Sequence, residues 1–113
     1  MATDFENKNE VTRVFLDDER ETPPGWTRAY TAAEAISLLQ TQNVVEISLD
    51  HDLGDDQQGT GYDVLLWIEE AVFTRNFVPP TMHVHSANAS ARVKMLAAVQ
   101  TIVRYCHDKQ SAP

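Results

Sequence analysis

Short apolar runs alternate with longer segments of helical period along the 113 residues of the chain. Val11 to Leu16 (V-T-R-V-F-L) is rich in β-branched and aromatic residues and reads as a strand, halted by Asp17-Asp18-Glu19-Arg20. Pro23-Pro24-Gly25 follows, a break that neither a helix nor a central strand would contain. Residues 26–30 read as a short second strand. Thr31 and Glu34 have capping-box spacing, and Ile36 and Leu39 continue at helical period, predicting a helix over 32–41. Val44 to Leu49 reads as a strand ending at Asp50-His51-Asp52-Leu53-Gly54. A polar loop, Asp55 to Gly59, leads to a second capping signal at Thr60-Gly61-Tyr62-Asp63. Leu65, Ile68 and Val72 then mark the inward stripe of a helix over 61–75. Val78-Pro79-Pro80 closes it. Thr81 to His85 reads as another strand, followed by Ser86-Ala87-Asn88. A last helix is predicted over 90–107, with Leu96, Val99, Ile102, Val103 and Cys106 on its buried side.

Strands alternating with helices predict an α/β fold. The expectation is a single three-layer domain over 11–107, with a mainly parallel sheet of about four strands flanked by three helices. Residues 1–10 and 108–113 are expected to be flexible termini. The connection between the first two strands is shorter than the dozen residues a parallel crossover usually needs. The second strand is therefore expected to be an edge strand or antiparallel.

Composition narrows the function classes. Seventeen acids against nine bases leave a net charge of −8, and the sequence pI is about 4.7. Coating of a nucleic-acid duplex or of an anionic membrane would need basic surface instead. No run approaches the 18 apolar residues of a membrane span. Residues 1–10 lack the basic start and apolar core of a secretory signal. The single Cys106 allows no internal disulfide and reads as a small buried hydrophobe. A cytoplasmic location is the expectation. The charge is also uneven: residues 1–70 hold sixteen acids and four bases, residues 71–113 one acid and five bases.

Polar chemistry concentrates where strands end. In open parallel sheets ligands bind at the carboxyl ends of the strands. Asp17-Asp18, Asp50-His51-Asp52 and His85-Ser86-Ala87-Asn88 would share that rim. Carboxylates gathered there repel one another unless protonated or neutralised by a cation. Asp17, Asp18, Asp50 and Asp52 are accordingly candidate ligands for a hard divalent cation, Mg²⁺ or Mn²⁺ ahead of Zn²⁺. The plainer alternative is that Asp17 and Asp18 cap a turn. His83 and His85 leave the same strand face and, with His51 nearby, could bind Zn²⁺, Mn²⁺ or Fe²⁺ or shuttle protons near neutral pH, His51 and His85 at the rim being the better candidates. His83, one pair deeper, reads as a hydrogen-bonded core histidine, and His107 as a helix-end cation. Gly59, Thr60 and Gly61 precede a helix and could cradle a phosphate, although the segment lacks the lysine of a P-loop. Arg20, Ser86, Asn88 and Arg92 complete the candidate phosphate contacts, with surface ion pairing the alternative for both arginines. Trp26 and Trp67 read as packing residues.

An acidic pair after one strand, an aspartate after a later strand and a serine after the next resemble the response-regulator receiver fold. That resemblance would make Asp50 the phosphoacceptor, Asp17 and Asp18 the Mg²⁺ ligands and Ser86 the phosphate-sensing hydroxyl. The first helix of a receiver is missing here, as is its fifth strand with the terminal lysine; Lys94 lies inside the last helix. The strings Phe15-Leu16-Asp17-Asp18-Glu19-Arg20, Ser48-Leu49-Asp50-His51-Asp52-Leu53-Gly54, Thr60-Gly61-Tyr62-Asp63 and His83-Val84-His85-Ser86-Ala87-Asn88 look like the cyclic-phosphate-processing receiver-like family, across about residues 12–104. This resemblance implies action on cyclic or terminal phosphates of nucleotides or RNA, in phage or bacterial conflict.

Two functions follow as expectations. The first is a metal-dependent phosphoesterase, with Asp17, Asp18, Asp50 and Asp52 on the metal, His51, His85 and Asp50 in the chemistry, and a small phosphorylated ligand as partner. The alternative is a non-catalytic receiver-like module that binds a nucleotide or is phosphorylated at Asp50. A protein inhibitor using the acidic face ranks last. Oligomeric state is left open, a homodimer included.

Overall fold

The computed structural model describes residues 11–54 and 59–111. In chain order the elements are β1 (Thr12–Leu16), β2 (Thr27–Ala29), α1 (Ala32–Leu39), β3 (Val44–Leu49), α2 (Gly61–Arg75), β4 (Thr81–Val84) and α3 (Ala89–Ser111). The strands form one sheet in the order β2-β1-β3-β4, with every neighbouring pair parallel. β2 is thus an edge strand and parallel. Its short crossover needs no helix because Asp17 organises it. The Asp17 amide donates to the Ala29 carbonyl at 3.1 Å. Its carboxylate Oδ1 accepts the amides of Glu19 and Arg20, each at 2.8 Å.

Alternation along the strands decides where the core lies. Val14 pairs with Ile47, Leu16 with Leu49, and these in turn with Met82 and Val84. This side carries the buried cluster, completed by Ala35 and Leu39 of α1, Val64, Leu65 and Ile68 of α2, and Met95 and Ile102 of α3. Each fully buried Leu or Ile contributes about 1.5–3 kcal/mol. α1 packs on α2 and α2 on α3, so the helices lie side by side on this one face.

The expected third layer is therefore absent among the described residues. The opposite positions are Arg13, Phe15, Arg28, Glu46, Ser48, Thr81 and His83. Apolar surface there is confined to Phe15 and to the rings of Trp26 and Tyr30 flanking β2, so a helix laid across the rest of that face would bury charge without compensation. The Pro23-Pro24-Gly25 break stands where a helix for that face would have to begin. His83, expected in the core, sits on this uncovered face: its side chain is 48% exposed and bonds Glu46 at 2.6 Å.

Local signals set the helix starts. Thr31 caps α1 by accepting the Glu34 amide, and Glu34 reaches back to the Tyr30 amide at 2.7 Å. Thr60 and Asp63 form a full capping box on α2. α3 departs from expectation twice. It runs on to Ser111, past residue 107. Its buried line is Ala91, Met95 and Ile102, while Leu96 and Val103 are exposed. Apolar residues fall at helical spacing on two sides of α3, and only the side against α2 and β4 is covered. Residues 1–10, the other expected flexible end, lie outside the described residues. Among those described, no helix is long and apolar enough to cross a membrane.

Candidate functional site

The sheet ladder continues one residue past three strands: Asp17 N bonds Ala29 O, Asp50 N bonds Leu16 O and His85 N bonds Leu49 O. Alternation therefore extends to these positions. The rows Arg13-Phe15-Asp17, Glu46-Ser48-Asp50 and Thr81-His83-His85 all rise on the uncovered face. Asp17, Asp50 and His85 end those rows, and one ligand atom from each lies within 4.8 Å of the others. Gly61 brings the start of α2 against the same rim. Its amide donates to His51 O at 3.3 Å, and an added Cβ would collide with the Asp50 carbonyl.

Charge is concentrated here. Burial drives the Asp17 carboxyl up, but the amides of Arg20 and Glu19, the Arg20 guanidinium and the His85 ring outweigh it and hold the group at about 2. Asp50 is pushed the other way, by burial and then by the negative charge of Asp17, with the His51 amide, His85 and Arg20 opposing. Arg20 sits between them, with one guanidinium nitrogen 2.8 Å from Asp17 and 3.5 Å from Asp50. Its own pKa is raised by the bond to Asp17. Two carboxylates share one guanidinium that is itself half in solvent. That is an incompletely neutralised pair of the kind a divalent cation satisfies.

His85 is fixed on three sides. Its Nε2 lies 3.0 Å from Asp17 and its Nδ1 2.7 Å from Ser48 Oγ. Its ring stacks on Phe15 with centroids 4.6 Å apart and planes 2° apart. A serine hydroxyl both donates and accepts. It can give its proton to Nδ1 when Nε2–H bonds Asp17, and accept Nδ1–H when the Nε2 lone pair turns to a cation. Were Mn²⁺ held at the trio, Ser48→Ala, which removes that partner, would weaken its binding by about 10–100-fold, with Ser48→Thr restoring most of it. Isothermal titration of the three proteins checks this.

The remaining candidates stand around this cluster in other roles. The Asp18 carboxylate lies beside Gly54, outside the trio. Asp52 is exposed and bonds His51 Nδ1 at 2.9 Å, and the His51 amide donates to Asp50 Oδ1 at 2.8 Å. Ser86 is buried and accepts the Asn88 amide at 3.1 Å. Asn88 caps α3 through the Ala91 amide. Thr60 is committed to its capping box, with Gly59 before it. Arg92 is exposed on the first turn of α3. A separate concavity, lined by Gln40, Trp67, Arg75 and Phe77, lies toward the opposite ends of the strands and holds none of these residues.

Ser48 and Phe15 are site residues that motif reading passes over. Their signal is positional: each stands two residues before an aspartate of the trio on the same strand face. Residues 12–101 match a family model described as the cyclic-phosphate processing receiver domain. No curated protein and no solved structure matches the chain.

Proposed function

The chain belongs to the cyclic-phosphate processing receiver domain family, and from that premise we propose that it is a metal-dependent phosphoesterase that opens cyclic phosphates. The observation that carries this reading is the convergence of Asp17, Asp50 and His85 from three strands to within 4.8 Å. Two carboxylates and one imidazole suit Mn²⁺ or Mg²⁺, with Mn²⁺ favoured by the nitrogen ligand. Such a cation would polarise a phosphoryl oxygen and lower the pKa of a bound water.

The other residues of the rim would handle the phosphate and the proton. Arg20 is half exposed and already faces both carboxylates. Once a cation neutralises them, its guanidinium can hold a phosphoryl oxygen. His51 has Nδ1 tied to Asp52, so Nε2 is its proton-exchanging atom. In hydrolysis a water oxygen bonds phosphorus and one ring P–O bond breaks. The proton lost by water passes to the leaving oxygen through His51, giving an open phosphomonoester. The phosphoacceptor alternative finds less support: Lys94, the lysine nearest in sequence to that role, lies with its ammonium over the Tyr62 ring at 4.3 Å.

Purified protein incubated with Mn²⁺ or Mg²⁺ and a panel of 3′,5′-cyclic mononucleotides, cyclic dinucleotides and RNA ending in a 2′,3′-cyclic phosphate tests the proposal. Ring opening of at least one of them, lost in Asp50→Ala, is the expected result. No turnover across the panel, or turnover that survives Asp50→Ala, would contradict it.

A further inference from the structure

We infer that the uncovered sheet face recognises the nucleoside part of the phosphate ligand, with the β2 row Trp26-Arg28-Tyr30 as the edge on which the base stacks. This rests on the phosphate reading of the rim. The face and the rim are continuous, because Asp17, Asp50 and His85 are the last members of rows that begin on that face. A ligand whose phosphate lies at the trio can therefore lay its remainder over the sheet.

The register places the parts. Phe15 pairs with Arg28 and Leu16 with Ala29, which sets Tyr30 level with Asp17 one strand over. Arg28 donates from Nε to the Asp17 carbonyl at 3.1 Å and lies 4.7 Å over the Tyr30 ring. Tyr30 is 52% exposed. Further down, half-buried Trp26 meets Phe15 edge-on at 6.4 Å, and Phe15 in turn supports His85. Neighbouring strands lie about 4.8 Å apart, so the Arg28–Tyr30 pair stands within one sugar's reach of the trio. Aromatic and guanidinium planes are what a nucleobase stacks on.

Charge points the same way. Residues 1–70 contain four bases, Lys8, Arg13, Arg20 and Arg28. The three among the described residues all stand on this face or at its rim, within an otherwise acidic half. A solvent-washed face has no need of exposed Tyr30 and half-buried Trp26. A protein cover packed like a core would have to bury Arg13, Glu46, Thr81 and His83. Arg13 is paired with Glu46 and Arg20 with Asp17 and Asp50, whereas Arg28 bonds only neutral oxygens, the Asp17 carbonyl and Thr22 Oγ1, among the described residues. A planar, anionic ligand satisfies both the rings and Arg28.

Binding of adenosine 5′-monophosphate and of ribose 5-phosphate in the presence of Mn²⁺ tests the inference. Wild-type protein is expected to bind the nucleotide at least about tenfold more tightly than the sugar phosphate. Tyr30→Ala should erase most of that margin while leaving ribose 5-phosphate and Mn²⁺ affinities unchanged. Trp26→Phe, by keeping a ring, should retain the margin. Equal binding of the two phosphates by wild type overturns this inference alone, as does a margin that survives both Tyr30→Ala and Trp26→Ala. Mn²⁺ binding with no binding of either phosphate overturns the phosphate reading together with it. A dimer in solution that Tyr30→Ala dissociates would give the face to a second copy and overturn it as well.

Discussion

Asp17→Ala is expected to remove cation binding and turnover together and to destabilise the metal-free fold by about 3 kcal/mol. The Asp17 side chain is 1% exposed, yet it accepts from two backbone amides, Arg20 and His85. Truncation leaves the Glu19 and Arg20 amides without the acceptor that folds the β1–β2 crossover. It also strips His85 Nε2 of its anchor. The pKa argues a similar size. A carboxyl held at about 2 rather than 3.8 corresponds to about 2 kcal/mol of stabilisation of the charged form. Because the folded pKa is depressed, that contribution is full above about pH 4 and is lost as pH falls through about 2. Urea titrations of metal-free wild type and variant at neutral pH, and of wild type down to pH 2, check both statements. Asp17→Asn should lose cation affinity while recovering part of the stability, since its amide oxygen can still accept from the loop.

Asp50→Asn is expected to separate function from stability. Cation affinity should fall by more than about 100-fold, beyond what loss of an outer partner costs, and turnover should vanish. The metal-free fold should become more stable, not less. Burial and the charge of Asp17 both disfavour the ionised Asp50 carboxylate, so a neutral amide removes a repulsion. The Asn oxygen can still accept the His51 amide now bonded at 2.8 Å. A thermal melt without metal, beside an Mn²⁺ titration, reads the two effects. A loss of stability would mean that Asp50 serves the fold, as Asp17 does.

These two aspartates show what was legible in the sequence. β3 and α2 follow directly from their apolar spacing and the Thr60–Asp63 cap. The rim could be drawn because strand ends are marked by sudden polarity. The membership of the rim was harder to read. Asp17 and Asp18 are adjacent, and spacing alone does not say which one turns inward. Alternation counted from the buried Val14 and Leu16 does: it sends Asp17 to the face of Phe15. The same count from Ile47 and Leu49 finds Ser48 and Asp50. Strands alternating with helices imply cover on both faces, and that pattern alone does not reveal that the third layer is absent among the described residues. The polar positions Arg13, Glu46, Ser48 and His83 carry the contrary message. Spacing does not separate the two sides of α3, because Leu96 and Val103 are as well spaced as Met95 and Ile102, and packing alone distinguishes them.

That alternation also ties the architecture to the chemistry. An uncovered face lets the trio open sideways onto the sheet, where a receiver-like domain with helices on both faces would present it only from above. Under the proposed function Arg20, counterion to Asp17 and Asp50 in this structure, would turn to the phosphate once a cation neutralises them.

The claim that Asp17, Asp50 and His85 form one cation site is tested most directly by titrating the metal-free protein with Mn²⁺ and following free ion by electron paramagnetic resonance. One ion per chain is predicted for wild type, with that binding lost in Asp50→Asn. No bound ion in wild type, or an ion bound equally well by Asp50→Asn, would contradict the account.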